Sequence, residues 1–498
     1  MNAARRLNMA VLGIILLAFC LQGLLALPKL SATTDEPNHI AAGYSYWQTR
    51  DFRMNPEHPP LAKLIATLPL LLIHPRFDIS RDDWKNVAEY AFGVRFLYQN
   101  DADRILFWSR VPMVLIAAIG LLVTFLWARD LFGEPAGLFA AGMYAFSPNL
   151  LAHGMLVTTD VPLAAFEALT LYLFWKKRDV YAGLALGIAM ASKFSGAFLP
   201  ILILALCFAR DGRGALRRLV IMAGASLLVI EAAYLFSHSP LIYFKNGLTV
   251  NVKVVPNYVF YLFGRFKAGG WWYYFPVAFV LKATIPTLLL IFAALADLRT
   301  GFVQRWGEII LTSAIVFHLI ITMMGANQIG FRYLLPMFPL LFIWTSRIIP
   351  RLAPTRVGMA IIAFLLLWQA WAAIHAFPNY IPYFNELAGG PENGPALLDD
   401  SSVDWGQGVK QAADYVRAHQ LQNVNLYTFS PFDNPGYYGL PPNIPSSQAF
   451  EQLVVNRPAP GVYILSAHYV ARFRVVNPAW RDYKPIDRIG ESLLVFAF

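Results

Sequence analysis

Long apolar runs separated by short polar segments fill the chain as far as residue 376. A helix needs roughly 20 mainly apolar residues to cross a bilayer. Runs of this length occupy residues 9–27, 105–128, 216–236, 275–296, 307–325, 331–349 and 356–376. Two further stretches, 136–176 and 181–209, each fit a helical hairpin. The pattern therefore predicts a mostly α fold class, a polytopic transmembrane helical bundle.

Basic residues decide how many times the chain crosses. Cytoplasmic loops are enriched in Lys and Arg, and basic clusters follow the apolar runs at 176–178 and 210–218, while Arg5 and Arg6 precede the first run. If both long stretches are hairpins, these clusters share one side of the membrane and about eleven spans result. The sequence then predicts a multi-pass protein of the cell inner membrane with its C-terminus outside.

The same topology assigns two long segments to the outer side. Residues 28–104 form a first outer loop, in which the apolar run Pro59–Ile73 contains Lys63 and is too short to cross, so we expect an interfacial helix there. Residues 237–274 form a second large outer loop. The transmembrane domain is thus 1–376.

After residue 376 the chain becomes polar and rich in Pro and Gly. A helical pattern covers Gly408–His419, and strand patterns cover Val424–Thr428, Gly461–Leu465 and Ser492–Phe496. We expect residues 377–498 to form a small soluble α/β domain on the extracytoplasmic side.

Composition excludes several functional classes. The 498 residues are 57% apolar and 14% charged, whereas soluble domains carry about 25% charged residues. A net charge of +10 would fit a nucleic-acid partner, but membrane orientation already explains the basic clusters, so none is predicted. Cys20 and Cys207 both lie in apolar runs and provide neither a disulfide framework nor a thiolate metal cluster.

Unusual polar residues concentrate in the outer loops or at the outer ends of spans. They are Asp35, Glu36, His39, Glu57, His58, Asp160, Lys193 and Arg332. Ionisable groups at membrane depth are costly and mark functional sites. The alternative is a membrane transporter or flippase for a lipid-linked or small solute. Transporters usually show repeated halves and a midplane site, whereas an outer cluster favours an enzyme.

Two motifs in the first outer loop carry a family resemblance. Thr33-Thr34-Asp35-Glu36-Pro37-Asn38-His39 is followed by Asn55-Pro56-Glu57-His58-Pro59-Pro60-Leu61-Ala62-Lys63. Ser147-Pro148 before Thr158-Thr159-Asp160, then Ser192-Lys193-Phe194-Ser195 and Gly330-Phe331-Arg332-Tyr333-Leu334-Leu335-Pro336, extend the similarity. Together they resemble the GT-C glycosyltransferases of the family-39 type, which include protein O-mannosyltransferases and aminoarabinose transferases.

The resemblance implies a sugar transfer from a polyprenyl-phosphate donor to an extracytoplasmic acceptor, which could be a protein, a lipid or a glycan. Asp35 would be the catalytic base that takes the proton of the acceptor hydroxyl, and Glu36 would orient Asp35 or the acceptor. Arg110, Lys193 and Arg332 would bind the phosphate of the departing lipid. One base and direct displacement imply inversion at the anomeric carbon.

The remaining candidates are expected to bind substrate. Asp160 resembles the second acidic position of the fold, and would bind the acceptor, assist Asp35 or join a metal site. His58 and Lys63 belong to the second motif, where His58 would contact sugar or shape the loop. The carboxylates and imidazoles of this region match no closed metal site, so neither a metal nor another cofactor is predicted.

Each assignment has a structural alternative. Asp35 and Asp160 could cap the helices that follow them, and the basic side chains could extend to the membrane surface. Asp404, in the stretch Asp399–Gly408, could likewise cap a helix, or its loop could fold back over the active site and help to hold the acceptor.

Overall fold

A computed structural model describes residues 3–237, 241–252, 259–325, 327–456 and 458–498. Within these ranges five helices are long and apolar enough to cross a membrane. They are Arg5–Lys29, Ala102–Phe132, Phe194–Ala233, Arg305–Gly325 and Arg356–Ala376. Tyr274–Lys282 and Ile285–Asp297, bent by 114°, would together make a sixth. The protein is therefore a multi-pass membrane protein, and the number of about eleven spans stays a prediction.

Short helices build the first outer loop after the first span, α1 (Ala3–Ala26). They are α2 (Glu36–Thr49), α3 (Leu61–Thr67), α4 (Leu70–Ile73), α5 (Asp82–Lys85) and α6 (Glu89–Tyr98). The apolar run at 59–73 forms α3 and α4, which bury Leu64 and leave Leu72 85% exposed. At Gly43, α2 crosses α3 so closely that a Cβ would lie 2.3 Å from the Lys63 carbonyl oxygen. The lack of a side chain at Gly43 thus allows the two motifs of this loop to pack against each other.

The two stretches of uncertain span number each contain a break in the helix. The helices are α7 (Ala102–Phe132), α8 (Glu134–Ala145), α9 (Pro148–Gly154), α10 (Asp160–Trp175), α11 (Asp179–Ser192), α12 (Leu199–Asp211) and α13 (Ala215–Ala233). The first stretch is interrupted around α9, and the second at Lys193, whose backbone is extended. These breaks place Asp160 and Lys193 at helix ends.

The second outer loop is partly outside the described residues, at 238–240 and 253–258. Its described part holds α14 (Leu241–Val252) and an antiparallel hairpin of β1 (Val259–Leu262) and β2 (Arg265–Ala268). The hairpin contacts the C-terminal part of the chain, since the Tyr261 hydroxyl donates to the Pro395 carbonyl at 3.0 Å.

The second half of the bundle contains a sharp bend. Its helices are α15 (Tyr274–Lys282), α16 (Ile285–Asp297), α17 (Arg305–Gly325), α18 (Met337–Thr345), α19 (Ile349–Leu352) and α20 (Arg356–Ala376). Extended backbone at Ala283 ends α15, and Thr284 then caps α16, with Pro286 in its first turn. Proline and a capping hydroxyl both favour a new helix start, which explains the 114° change of direction.

A four-stranded sheet follows the last span. Its helices and strands are α21 (Gly390–Leu397), α22 (Val409–Ala418), β3 (Asn425–Tyr427), α23 (Ser446–Phe450), β4 (Val462–Ser466), α24 (Ala467–Val476), β5 (Asp487–Ile489) and β6 (Leu493–Ala497). The strand order is β3-β4-β6-β5, with β3 parallel to β4 and the other pairs antiparallel. Ile464 joins the apolar cluster that contains α22, and Leu465 joins the one that contains α24, so the two helices cover opposite faces.

The segment between the last span and this sheet packs into the bundle core. Tyr380, Phe384, Val403 and Trp405 are buried in the same apolar cluster as the spans. Lys282, at the bend, donates to the carbonyls of Ile381 at 2.7 Å and Ser402 at 2.6 Å. The C-terminal part is therefore anchored on the bundle, and its existence as an α/β domain with a boundary at residue 377 stays a prediction.

Candidate active site

The acidic turn between α1 and α2 presents Asp35 to a cation from a distant part of the chain. Asp35 precedes α2, but its side chain accepts no hydrogen bond from the helix. Its Oδ2 instead accepts from Arg332 Nη1 at 3.0 Å, across 297 positions of sequence. The two side chains are 23% and 13% exposed. Asp35 is thus a partly accessible carboxylate paired with Arg332, and the capping alternative does not describe its side chain.

Glu36 points the other way, into the protein, and is completely buried. Its Oε1 accepts from Arg110 Nε at 2.8 Å, and its Oε2 from Arg110 Nη2 at 2.6 Å. The Thr33 N–H and hydroxyl and the Val157 N–H complete its shell. Burial alone would raise the pKa of Glu36, but the attraction of Arg110 and these hydrogen bonds hold it below its ordinary value.

Arg110 is equally enclosed, with 1% of its surface exposed. Besides Glu36, its guanidinium donates to the carbonyls of Leu27, Leu30 and Ser31 at 3.4, 3.3 and 2.7 Å. All five N–H donors of an arginine are therefore used within the protein. Glu36, expected to orient Asp35 or the acceptor, and Arg110, expected to bind the lipid phosphate, form a buried pair that joins the acidic turn to α7.

Asp160 and Lys193 form a further ion pair. The Tyr333 ring lies between this pair and the pair of Asp35 and Arg332. Asp160, in the first turn of α10, is buried and accepts from Lys193 Nζ. The ammonium lies 4.6 Å from the ring centre of Tyr333, beside which the Arg332 guanidinium lies at 5.7 Å. Arg332 interacts electrostatically with both carboxylates, Asp35 and Asp160. Four of the predicted site residues therefore lie together.

The second motif forms a loop that a buried lysine holds in shape. Lys63 Nζ donates to the carbonyls of Asn55 at 2.8 Å and His58 at 2.9 Å, and to the Tyr46 hydroxyl at 2.9 Å. Its side chain is 1% exposed. Lys63 therefore stabilises the loop from the protein interior, and one of the groups that it binds is the His58 carbonyl.

Two histidines close one side of the site. His58 packs edge-on against His39 with ring centres 5.2 Å apart, and His39 Nδ1 lies 2.8 Å from the Val157 carbonyl. Burial, together with the neighbouring His39 and the cations Lys63, Lys193 and Arg332, lowers the pKa of His58 well below its ordinary value. Its surroundings therefore disfavour a positive charge on the His58 ring.

The C-terminal part supplies a wall of the site. The Arg332 guanidinium lies 4.2 Å from the ring centre of Trp405, whose carbonyl accepts from the Thr34 N–H at 2.9 Å. Ser31 Oγ donates to the Gly406 carbonyl at 2.8 Å and accepts from the Val409 N–H at 3.0 Å. The loop after Asp399 thus folds over the acidic turn, as one of the two alternatives expected.

Asp404 does not cap the following helix. Its Oδ1 accepts from the Gly406 N–H at 3.0 Å and its Oδ2 from the Ser466 hydroxyl at 2.6 Å. It therefore holds the loop in shape and joins it to the end of β4. No role was predicted for Trp405 or Tyr333. Each is an aromatic residue directly after a charged residue of a quoted segment, Asp404 or Arg332, and this adjacency was the available signal.

The site combines the ion pair of Asp35 and Arg332 with an unpaired donor on the same arginine. Arg332 Nε is buried and has no hydrogen-bond partner among the described residues. A buried unpaired donor is costly, and an anionic ligand oxygen would satisfy it. Among the same residues no three His, Cys, Asp or Glu side chains are arranged to hold a metal ion.

Comparisons with known proteins identify the fold. Residues 105–238, which include Arg110, Asp160 and Lys193, match the family described as dolichyl-phosphate-mannose-protein mannosyltransferase. The structure of ArnT from Cupriavidus metallidurans superposes with a TM-score of 0.53 at 15% identity, over 100% of this chain and 98% of that one. The chain has the fold of this transferase. The GT-C fold expected from the motifs is thereby confirmed.

Two further structures share the fold. ArnT bound to undecaprenyl phosphate gives a TM-score of 0.51 at 15% identity, over 100% of this chain and 98% of that one. The archaeal oligosaccharyltransferase AglB from Archaeoglobus fulgidus, in complex with an inhibitory peptide and a dolichol-phosphate, gives 0.53 at 13% identity, over 97% and 73%. A comparison with curated protein sequences finds no match.

Proposed function

We propose that the protein is an integral-membrane inverting glycosyltransferase that moves a sugar from a polyprenyl-phosphate carrier to an acceptor outside the cytoplasm. The observation that carries the proposal is the pairing of a partly exposed carboxylate, Asp35, with Arg332, which retains an unpaired buried donor. Bound undecaprenyl phosphate and dolichol-phosphate in structures of the same fold support a lipid-phosphate donor.

The chemistry needs one base and one anion site. Asp35 removes the proton of an acceptor hydroxyl, whose oxygen attacks the anomeric carbon while the bond from that carbon to the phosphate oxygen breaks. The lipid phosphate leaves with the bonding electrons, and Arg332 and Lys193 stabilise its charge. A single displacement inverts the anomeric centre. Glu36 cannot serve as an opposed second carboxylate, because it is buried against Arg110.

The other predicted residues receive narrower roles in this proposal. Asp160 holds Lys193 at the phosphate and faces the acceptor, and neutral His58 contacts the sugar. Lys63, Glu36 and Arg110 act as positioning residues: Lys63 through the loop of His58, the other two through the acidic turn. The buried hydrogen bonds of these three side chains support that division.

The membrane arrangement is part of the proposal. About eleven spans, a cytoplasmic N-terminus and an extracytoplasmic C-terminal α/β domain follow from the distribution of basic residues. This topology puts the site on the outer face of the inner membrane, where the loop 404–409 covers it.

Transfer by the purified protein tests the proposal. Purified enzyme is incubated with radiolabelled polyprenyl-phosphate sugars and a cell-envelope extract, and labelled acceptor is separated from labelled lipid. Asp35→Asn is expected to lower the rate about 10²–10⁴-fold, the usual contribution of a positioned base. Asp51→Asn, which changes another carboxylate of the first outer loop, is the matched control.

Two results would overturn the proposal. Transfer by Asp35→Asn at the rate of the unmodified enzyme would exclude Asp35 as the base. Movement of labelled carrier across liposomes that contain the protein, without any transfer of sugar, would instead establish the transporter alternative.

A further inference from the structure

A cavity lies where α20 ends and the C-terminal part begins. Its volume is about 530 Å³, within the range of about 300–1,000 Å³ of small-molecule sites. The walls come from the last turn of α20, from segment 377–391 and from the turn between β5 and β6 at Gly490 and Glu491. None of the residues around Asp35 lines it, so it is a separate site.

An apolar groove leads into this cavity along α20. Phe364, Leu367, Trp368 and Trp371 line the groove, and Trp371 lines the cavity as well. Three of these side chains are largely exposed, at 58% for Phe364, 70% for Leu367 and 62% for Trp371. Because α20 is long and apolar enough to span the membrane, this face meets lipid, and tryptophans of this kind lie at the bilayer surface. The groove therefore offers a path for a hydrocarbon chain.

The cavity itself contains polar groups that the fold leaves available. The Tyr383 hydroxyl is buried, at 8% exposure of the residue, and has no hydrogen-bond partner among the described residues. Glu386 and Glu491 line the same space, and Glu386 accepts from the Trp368 indole at 2.7 Å. Buried hydroxyls normally have partners, so the Tyr383 hydroxyl indicates a ligand.

Glu491 lies in the turn between β5 and β6. Its φ is +63°, a left-handed conformation that side chains other than glycine adopt at a cost. Arg488 Nη1 lies 3.7 Å from its carboxylate, beyond hydrogen-bonding distance, and His375, another basic residue near Glu491, also lines the cavity. The turn thus holds an incompletely neutralised carboxylate at the cavity wall.

We propose that the groove and the cavity bind a phospholipid with a primary-amine headgroup. The ammonium group has three donors and matches the two carboxylates, Glu386 and Glu491. The Tyr383 hydroxyl donates to an oxygen of the phosphate or the ester, and an acyl chain lies along the groove. This lipid is a bound structural lipid of the outer surface of the bundle, and the proposal does not depend on sugar transfer.

Native mass spectrometry of the full-length protein tests this proposal. The protein is exchanged into micelles with phosphatidylethanolamine, phosphatidylcholine or phosphatidylglycerol, and the fraction with bound lipid is measured. We expect phosphatidylethanolamine to be retained about tenfold more than the other two. The double variant Glu386→Gln/Glu491→Gln removes that preference, and Tyr383→Phe lowers retention of the lipid. Glu451→Gln, which neutralises an exposed carboxylate elsewhere in the C-terminal part, changes nothing.

A photo-reactive phosphatidylethanolamine with its label in the acyl chain gives a measurement that needs no variant. Crosslinks within residues 364–391 are expected in the unmodified protein. Equal retention of the three lipids, or crosslinks spread evenly over the other spans, would overturn the proposal. A dimer that excludes all three lipids would assign the groove to a second copy of the chain and overturn it as well.

Discussion

Glu36→Gln separates the two roles that the sequence allows for this residue. In the structure Glu36 is the counterion of Arg110 and accepts three further hydrogen bonds, from Thr33 and Val157. A glutamine has one oxygen and one NH₂ group, so the NH₂ would face other donors whichever way the amide turns. The variant also leaves the guanidinium of Arg110 buried without a countercharge.

The expected loss of stability can be worked out from these contacts. Removing one partner of a buried ion pair costs about 3–5 kcal/mol. With an unfolding entropy of about 2.1 cal/mol/K per residue, a chain of 498 residues has about 1 kcal/mol/K. The apparent melting temperature should therefore fall by about 3–5 °C. Tryptophan fluorescence at one fixed heating rate measures it, because membrane proteins of this size unfold irreversibly.

A double variant provides the control. Arg110→Met alone should destabilise the protein comparably, since it leaves the Glu36 carboxylate buried and unpaired. Glu36→Leu/Arg110→Met removes both charges and should be less destabilised than either single variant. If Glu36→Gln melted at the normal temperature and yet lost transfer activity, Glu36 would act on substrate and the positioning role would be refuted.

Three further changes test the surroundings of the site. Lys63→Met removes the ammonium that binds the carbonyls of Asn55 and His58, and amide hydrogen exchange over 55–60 should accelerate, whereas exchange in α7 should not change. Burial raises the pKa of Asp404 to about 7, whereas an aspartate in an unfolded chain has a pKa of about 3.9. Between these two pH values the carboxyl group is protonated in the folded protein and ionised in the unfolded chain. Stability should therefore fall as the pH rises from about 4 to about 7, and Asp404→Asn should make melting less dependent on pH over that range. Arg332→Lys keeps the charge but loses the planar group that stacks on Trp405, and initial rates should fall about 10²-fold without a comparable loss of melting temperature.

The sequence predicts three of the membrane helices well because one physical quantity decides them, whereas the longest helix in the predicted span at 331–349 is the nine-residue α18. Apolar length alone identifies the first span, the span that begins near residue 105 and the last span at 356–376, and all three are long helices. Length cannot reveal a bend. The 114° angle between α15 and α16 depends on a local cap at Thr284, which an average over 20 residues conceals.

The sequence proposes residues for the site, but it does not show which of their side chains pair with one another. Asp35 and Glu36 are adjacent in sequence, which invites a shared role. Consecutive residues at a helix start point about 100° apart, so one carboxylate faces the open site and the other the core. Which side chain Arg110 would meet was not readable, because the pairing of Arg110 with Glu36 depends on how α7 packs against the acidic turn.

The sequence left two roles open for the loop around Asp404, because its contacts with the site are all long-range. The contacts of Trp405 with Arg332 and with Thr34 span 73 and 371 positions of sequence, and no local pattern encodes them. Three segments that are remote in the chain, the acidic turn, the turn at Gly330–Tyr333 and the loop 404–409, converge around Asp35. At Gly330 a Cβ would lie 2.1 Å from Ser401 Oγ, so the turn at Gly330–Tyr333 also closely approaches the residues just before the loop 404–409. The proposed base Asp35 lies among such long-range contacts and should be sensitive to changes in the C-terminal part, although every residue proposed to touch the sugar or its phosphate precedes that part in the sequence.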